Sequence, residues 1–195
     1  LEFRRVLFRS PLEMENQTDT LVSISKGLAD PQWHIKALHQ KAAVNIHKGQ
    51  LTTAGEFVNQ AIELSIRSKD RFLEARGYQI MGQMAFQGRQ IPEVKKQYSR
   101  AIETYEELGK EEAAAMLMCS MSRTFVAEST IYLDSAFAWN NRAKALADRF
   151  PANLELHYFI WQNEADYFAR SGEFKNAEKA FEQAEKVARQ MPSAY

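Results

Sequence analysis

Ala61, Ala101, Ala143 and Ala184 recur at a nearly constant interval of about 40 residues, the range in which repeat architectures fall. Each stands in the second of two consecutive stretches with helical periodicity. A fixed period of this length marks stacked supersecondary units. One helical hairpin has too little apolar surface to bury by itself, and only side-by-side stacking makes a continuous core. The spacing predicts an all-α chain, a solenoid of antiparallel helix hairpins.

Proline and glycine place the joints. Pro11, Pro31, Pro92, Pro151 and Pro192 all fall near expected helix ends, where a missing N–H is harmless. Asp30-Pro31 reads as an N-cap followed by the first helical residue. Gly49, Gly88 and Gly172 close first helices as C-cap glycines. The expected pairs are 32–47 with 51–68, 71–86 with 92–108, 111–127 with 131–148, and 152–170 with 173–190. Leu21, Ile24 and Leu28 give residues 14–30 part of a preceding helix that would cover the apolar edge of the first full hairpin. Residues 31–195 form the array of about four hairpins.

Residues 1–13 are set apart as artefact or disordered chain, because Leu1–Ser10 (LEFRRVLFRS) reads, codon by codon, like the translated end of a sequencing-library adapter. The apolar run Val6-Leu7-Phe8 is too short for a signal-peptide core. Without Arg4, Arg5, Arg9 and Glu2, the totals of 25 basic and 25 acidic residues become 22 and 24. A net charge near −2 with interspersed signs offers no basic field to nucleic acid or to an anionic membrane. No run approaches the roughly 20 apolar residues that span a bilayer, so no membrane contact is expected from this segment. The single cysteine, Cys119, sits among Met116, Leu117, Met118 and Met121 and reads as a core residue. A cytoplasmic location is expected, with a periplasmic one left open by whatever preceded residue 1.

The last hairpin shows the pattern residue by residue. Phe174, Ala177, Phe181, Ala184 and Ala188 advance by three or four, one face of a helix. Leu154, Trp161, Ala165 and Phe168 make the facing stripe, with the alanines admitting close backbones and Trp161, Phe168 and Phe181 filling the remainder. Ala180, Val187 and Met191 are left to one side, as an uncovered C-terminal edge through which the chain is expected to self-associate and beyond which a longer chain is expected to continue. Trp33, Trp139 and Trp161 read as core.

Trp161, Ala165, Phe168, Gly172, Ala177, Phe181 and Ala184 stand at the spacings of the tetratricopeptide repeat (TPR), and this hairpin resembles that family. Tyr78, Met81, Gly82, Ala85, Tyr98 and Ala101 repeat the resemblance in the second hairpin, and Ala42 or Ala43, Gly49, Ala54, Val58 and Ala61 in the first. The third keeps Ala136 and Ala143, but Asn140 replaces the aromatic. The period is longer than the family's usual one and is similar to the extended repeats of kinesin light chains and bacterial signalling proteins. The resemblance implies a right-handed superhelical array.

It also implies a function. Such arrays hold an extended peptide or a partner helix in a concave groove lined by the first helix of each hairpin. Here those positions are Arg76, Gln79, Gln83 and Phe86 in the second hairpin and Phe159, Gln162, Asp166 and Arg170 in the fourth. The family's chaperone-tail clamp uses Lys and Asn where Gln79, Gln83, Gln162 and Asp166 stand, so that activity is not expected. RNA-reading pentatricopeptide arrays would line a basic groove, which the charge balance does not supply. HEAT-type repeats lack this alanine and aromatic code. The implied function is a scaffold that binds a protein or peptide. The alternative is the regulatory input module of a larger bacterial signalling protein, a histidine kinase, diguanylate cyclase or transcription regulator, whose output domain lies outside the chain.

Nothing in the sequence asks for chemistry. There is no Walker-type loop, HExxH or paired CxxC. His34, His39 and His47 are spaced by five and eight, not the four that sets two ligands side by side on a helix. Glu106, Glu107, Glu111 and Glu112 surround a helix joint and read as a solvated turn. No catalytic residue, metal or cofactor is expected.

Overall fold

A computed structural model of the protein describes residues 11–191; Leu1–Ser10, which carry the adapter reading, and residues 192–195 lie outside them. The described residues hold nine α-helices and no strand. They run α1 Pro11–Ser25, α2 Pro31–His47, α3 Leu51–Arg67, α4 Arg71–Gln87, α5 Ile91–Glu107, α6 Glu111–Glu128, α7 Leu133–Ala147, α8 Leu154–Ser171 and α9 Phe174–Ala188. A 3-10 turn, Thr130–Tyr132, leads into α7. The chain divides between Thr104 and Tyr105 into two compact units.

From α2 to α6 the helices start at equal intervals, at Pro31, Leu51, Arg71, Ile91 and Glu111. Each of α2 to α5 is 17 residues long, and the interval leaves three for a join. So short a join needs one left-handed residue to reverse the chain while serving the orphan carbonyls of the finished helix. Gly49 (φ 74°), Gly109 (φ 65°) and Gly172 (φ 82°) supply it after α2, α5 and α8. After α3 and α4 the residue is Lys69 (φ 57°) and Arg89 (φ 55°). Gly88, expected in that role, keeps φ −77° and only precedes the turn. All five joins close with the same long-range bond, from Gln50 N to Asn45 O, Asp70 N to Ser65 O, Gln90 N to Ala85 O, Lys110 N to Tyr105 O and Glu173 N to Phe168 O, at 2.8–2.9 Å. Carboxylate and amide caps begin the following helices: Asp30 accepts from Gln32 N, Asp70 from Leu73 N and Asn153 from Leu156 N, each at 2.9 Å.

In the first unit, Ile35 and Leu38 of α2, Ala61 of α3 and Leu73 of α4 form one core, against which Val22 of α1 packs. α2 meets both α3 and α4, the contact pattern of stacked hairpins. α1 joins the stack, though not by the expected residues. Leu21, Ile24 and Leu28 are 46%, 63% and 48% exposed, while Thr18 and Ser25 are buried. The orientation follows from charge: Lys41 of α2 is 5% exposed, and its ammonium needs the Asp19 carboxylate, 2.6 Å away.

The two glycines inside α4 set its distance from its neighbours. A Cβ at Gly77 would lie 2.4 Å from Ile62 Cγ1 of α3, and one at Gly82 would lie 2.2 Å from Tyr98 Cδ1 of α5. Hydrogen in place of a side chain therefore seats both neighbours close against one helix.

In the second unit, α6 meets α7 and α8, and α8 meets α9. Ala114, Leu117, Met118, Cys119, Met121 and Phe125 bury most of α6. α8 buries Leu156, Ile160, Asn163 and Ala165, so the expected stripe is corrected: Leu154, Trp161 and Phe168 are only half-buried. α9 buries Ala177, Ala180 and Ala184. Alanines let the two backbones approach and leave no room between them for a phenyl ring. The four periodic alanines are all core: Ala61, Ala101 and Ala143 are fully buried and Ala184 nearly so.

Three helices of this unit are tied by buried amides. Asn140 of α7 donates from Nδ2 to Ile160 O at 3.1 Å. Asn163 of α8 donates from Nδ2 to Cys119 O of α6 at 2.9 Å and to Asn140 Oδ1 at 3.2 Å. Both amides are at most 2% exposed.

Candidate partner-binding faces

On α4, Arg76, Gln79, Gln83 and Phe86 follow one another by three, four and three, which puts them on one side of the helix. The core side is taken by Leu73, Ala75, Gly77, Tyr78, Ile80, Gly82 and Ala85. Arg76 and Gln79 are half-buried; Gln83 is exposed, and Phe86 is 39% exposed. Beneath Arg76 lies His39 of α2, whose Nε2 is buried with no hydrogen-bond partner. Burial, and then the Arg76 charge, depress that imidazole to about 4. A neutral ring is the form that a site without an acceptor tolerates.

On α8, Phe159, Gln162, Asp166 and Arg170 form the corresponding row. The first three are half-buried and Arg170 is exposed. Burial raises the Asp166 carboxyl above its ordinary range, and Arg170 partly offsets this. The Phe159 ring carries the Arg123 guanidinium of α6 at 5.6 Å and touches Tyr158 at 5.7 Å between centroids. Arg123, exposed on a helix that is otherwise mostly buried, is a member of this face that the sequence did not single out. Its only sequence signal is one cation in the apolar run of α6. The α4 and α8 rows belong to different units.

The tryptophans correct another expectation. Trp33 is 58% exposed and Trp139 and Trp161 are half-buried. A cation covers each ring: Lys36 at 5.2 Å, Arg142 at 4.5 Å and Lys144 at 4.3 Å. Indole faces attract ammonium and guanidinium groups, so these rings stay stable at the surface instead of entering the core.

The glutamates around the α5–α6 joint hold α7 and the segment after it. Glu106 accepts from Arg142 at 2.9 Å, Glu111 from Arg149, and Glu112 from the Asn153 amide at 2.8 Å. These contacts lie among exposed side chains, so the turn is solvated as expected and carries surface bonds besides.

Of the residues expected at the C-terminal edge, Ala180 is corrected, and Val187 and Met191 are half-buried. Ala180 is buried, whereas Phe174 is 71% and Phe181 46% exposed. Among the described residues, no group of three or more His, Cys, Asp or Glu side chains is placed to hold a metal ion. No helix among them is long and apolar enough to cross a membrane.

No protein-family model matches the chain, and no curated protein matches it in sequence. Solved structures do match in fold. BtubC (BKLC) from P. vanneervenii superposes with a TM-score of 0.75 at 17% identity, over 94% of this chain and 76% of that one. A protein of Podosopora anserina, described as a putative kinesin light chain with nearly identical TPR-like repeats, gives a TM-score of 0.66 at 14% identity, over 94% and 90%. At such identities the likeness is one of fold alone. With successive helices paired into hairpins and the periodic alanines at their contacts, the chain has the TPR-like helical-repeat fold.

Proposed function

We propose that the protein is an interaction scaffold that binds a peptide or partner helix along the first helices of its hairpins. The observation that carries this reading is the α8 face. Phe159, topped by Arg123, shares a row with the half-buried Gln162 and Asp166 and the exposed Arg170. An aromatic anchor beside guanidinium groups and an amide is the composition of a binding centre. Arg76 and Phe86 give α4 a related face. Such faces suit a peptide with acidic and apolar residues.

The test begins with a peptide-display selection against the full chain. For a selected peptide, Arg170→Ala or Arg76→Ala should weaken binding by about 1–2 kcal/mol, with helicity unchanged by circular dichroism. The affected arginine names the unit that binds. Hydrogen-exchange protection confined to α3, α7 or α9, with both variants binding normally, would remove these faces from consideration.

A further inference from the structure

An open groove runs between α8 and α9, with Ala169, Ala177 and Ala184 along it and Tyr158, Phe174 and Phe181 beside them. A single exposed phenylalanine is ordinary. Two of them, placed two turns apart on one helix face and bordering an apolar channel, make an apolar strip long enough for the apolar stripe of an amphipathic helix to lie on.

The charges of α9 are sorted across this boundary. Glu178, Glu182 and Glu185, all the acidic residues of the helix, line the groove. Its three lysines, Lys175, Lys179 and Lys186, do not. Glu185 also receives Arg189 at 2.7 Å, but both side chains are mostly solvated, so this bond screens the row little.

We propose that this groove receives an amphipathic helix of a partner protein, with its apolar stripe on Phe174 and Phe181 and with Lys or Arg residues flanking that stripe. The glutamate row decides the occupant. A second copy docking through its own α9 would bring its glutamates along with its phenylalanines. A second copy docking through α1, which exposes Leu21 and Ile24, would bring a helix with no basic residue, whose Glu15 and Asp19 are already paired with Lys48 and Lys41. The first presents like charge to the row and the second no cation at all, whereas a basic-flanked helix meets it with opposite charge.

Two synthetic peptides with the same apolar stripe, one flanked by lysines and arginines and the other by glutamates, separate these cases by fluorescence anisotropy with the full chain. The basic peptide should bind at least about tenfold tighter, and the margin should shrink at high salt. Phe181→Ser should abolish its binding without loss of helicity. Glu178→Lys with Glu182→Lys should reverse the preference. Equal binding of both peptides, binding of neither, or a preference unmoved by charge reversal would overturn the proposal. So would sedimentation showing a dimer of the chain that Phe181→Ser dissolves, since the groove would then belong to a second copy.

Discussion

A buried imidazole with no partner ties stability to pH. His39 is 5% exposed, and in the folded chain it resists protonation until about pH 4, whereas in the unfolded chain it takes a proton near the ordinary value of about 6.5. Between those values the unfolded state binds more protons, so stability present above pH 6.5 is lost as the pH falls towards 4. The loss from this residue should be about 3 kcal/mol. Urea titrations of the protein and of His39→Gln should give free energies whose difference changes across that window. A difference that stays constant with pH would mean that the folded ring takes its proton at the same pH as the unfolded one. The two buried asparagines make a second prediction of the same kind. Asn163→Leu should cost about 1–3 kcal/mol by stranding Asn140 Oδ1 and removing the second bond to Cys119 O. Adding Asn140→Leu should cost less than its own single effect, because it removes an atom already left unpaired. Strict additivity would show that the amides are not coupled. The sequence concealed this pair because Asn140 reads as a lost aromatic and Asn163 lies outside the apolar stripe read for its helix. Neither position shows which backbone carbonyl it will meet.

At the level of helices, α4 shows why the joints were legible and the faces were not. Gly88 marks the close of α4 in the sequence even though the left-handed residue is Arg89, because a glycine near a helix end is local chemistry that a sequence displays directly. Which side packs is set by neighbours distant in the chain. On α8 and α9 the largest side chains, Trp161, Phe174 and Phe181, looked like the core, yet the alanines took it because close approach of two backbones excludes rings. The eight residues proposed for binding were legible as two rows because a row needs only the helix period. Arg123 was not, since its place beside Phe159 depends on α6 lying against α8. The glycine seats on α4 give a direct test. Gly82→Ala would gain about 1 kcal/mol of helix propensity, but it drives a methyl group into the Tyr98 ring. Overpacking costs about 1–3 kcal/mol, so a net loss of about 1 kcal/mol is expected from thermal or urea unfolding. Gly82→Ala with Tyr98→Leu should recover part of that loss. A gain in stability from the single change would mean that Tyr98 swings aside freely.

For the molecule as a whole, the joins govern how its length can vary. Joins this short leave no slack: one residue added between Lys69 and Asp70 breaks the bond from Asp70 N to Ser65 O and displaces the cap on Leu73 N. The stretch between α7 and α8, residues 148–153, is twice as long. An alanine inserted between Lys69 and Asp70 should therefore lower the melting temperature by several degrees, and one inserted between Pro151 and Ala152 by much less. Equal effects at the two sites would show that the short join has hidden give. The even spacing of helix starts from Pro31 to Glu111 has a genetic counterpart. Unequal crossing-over between two equivalent joins there would add or remove one whole hairpin and rejoin the backbone at the same phase. The same exchange across the starts at Glu111, Leu133 and Leu154, where the interval is longer and uneven, would leave an offset to be absorbed. Gene duplication can thus copy hairpins without a seam in the first part of this array, and only with repair in the second.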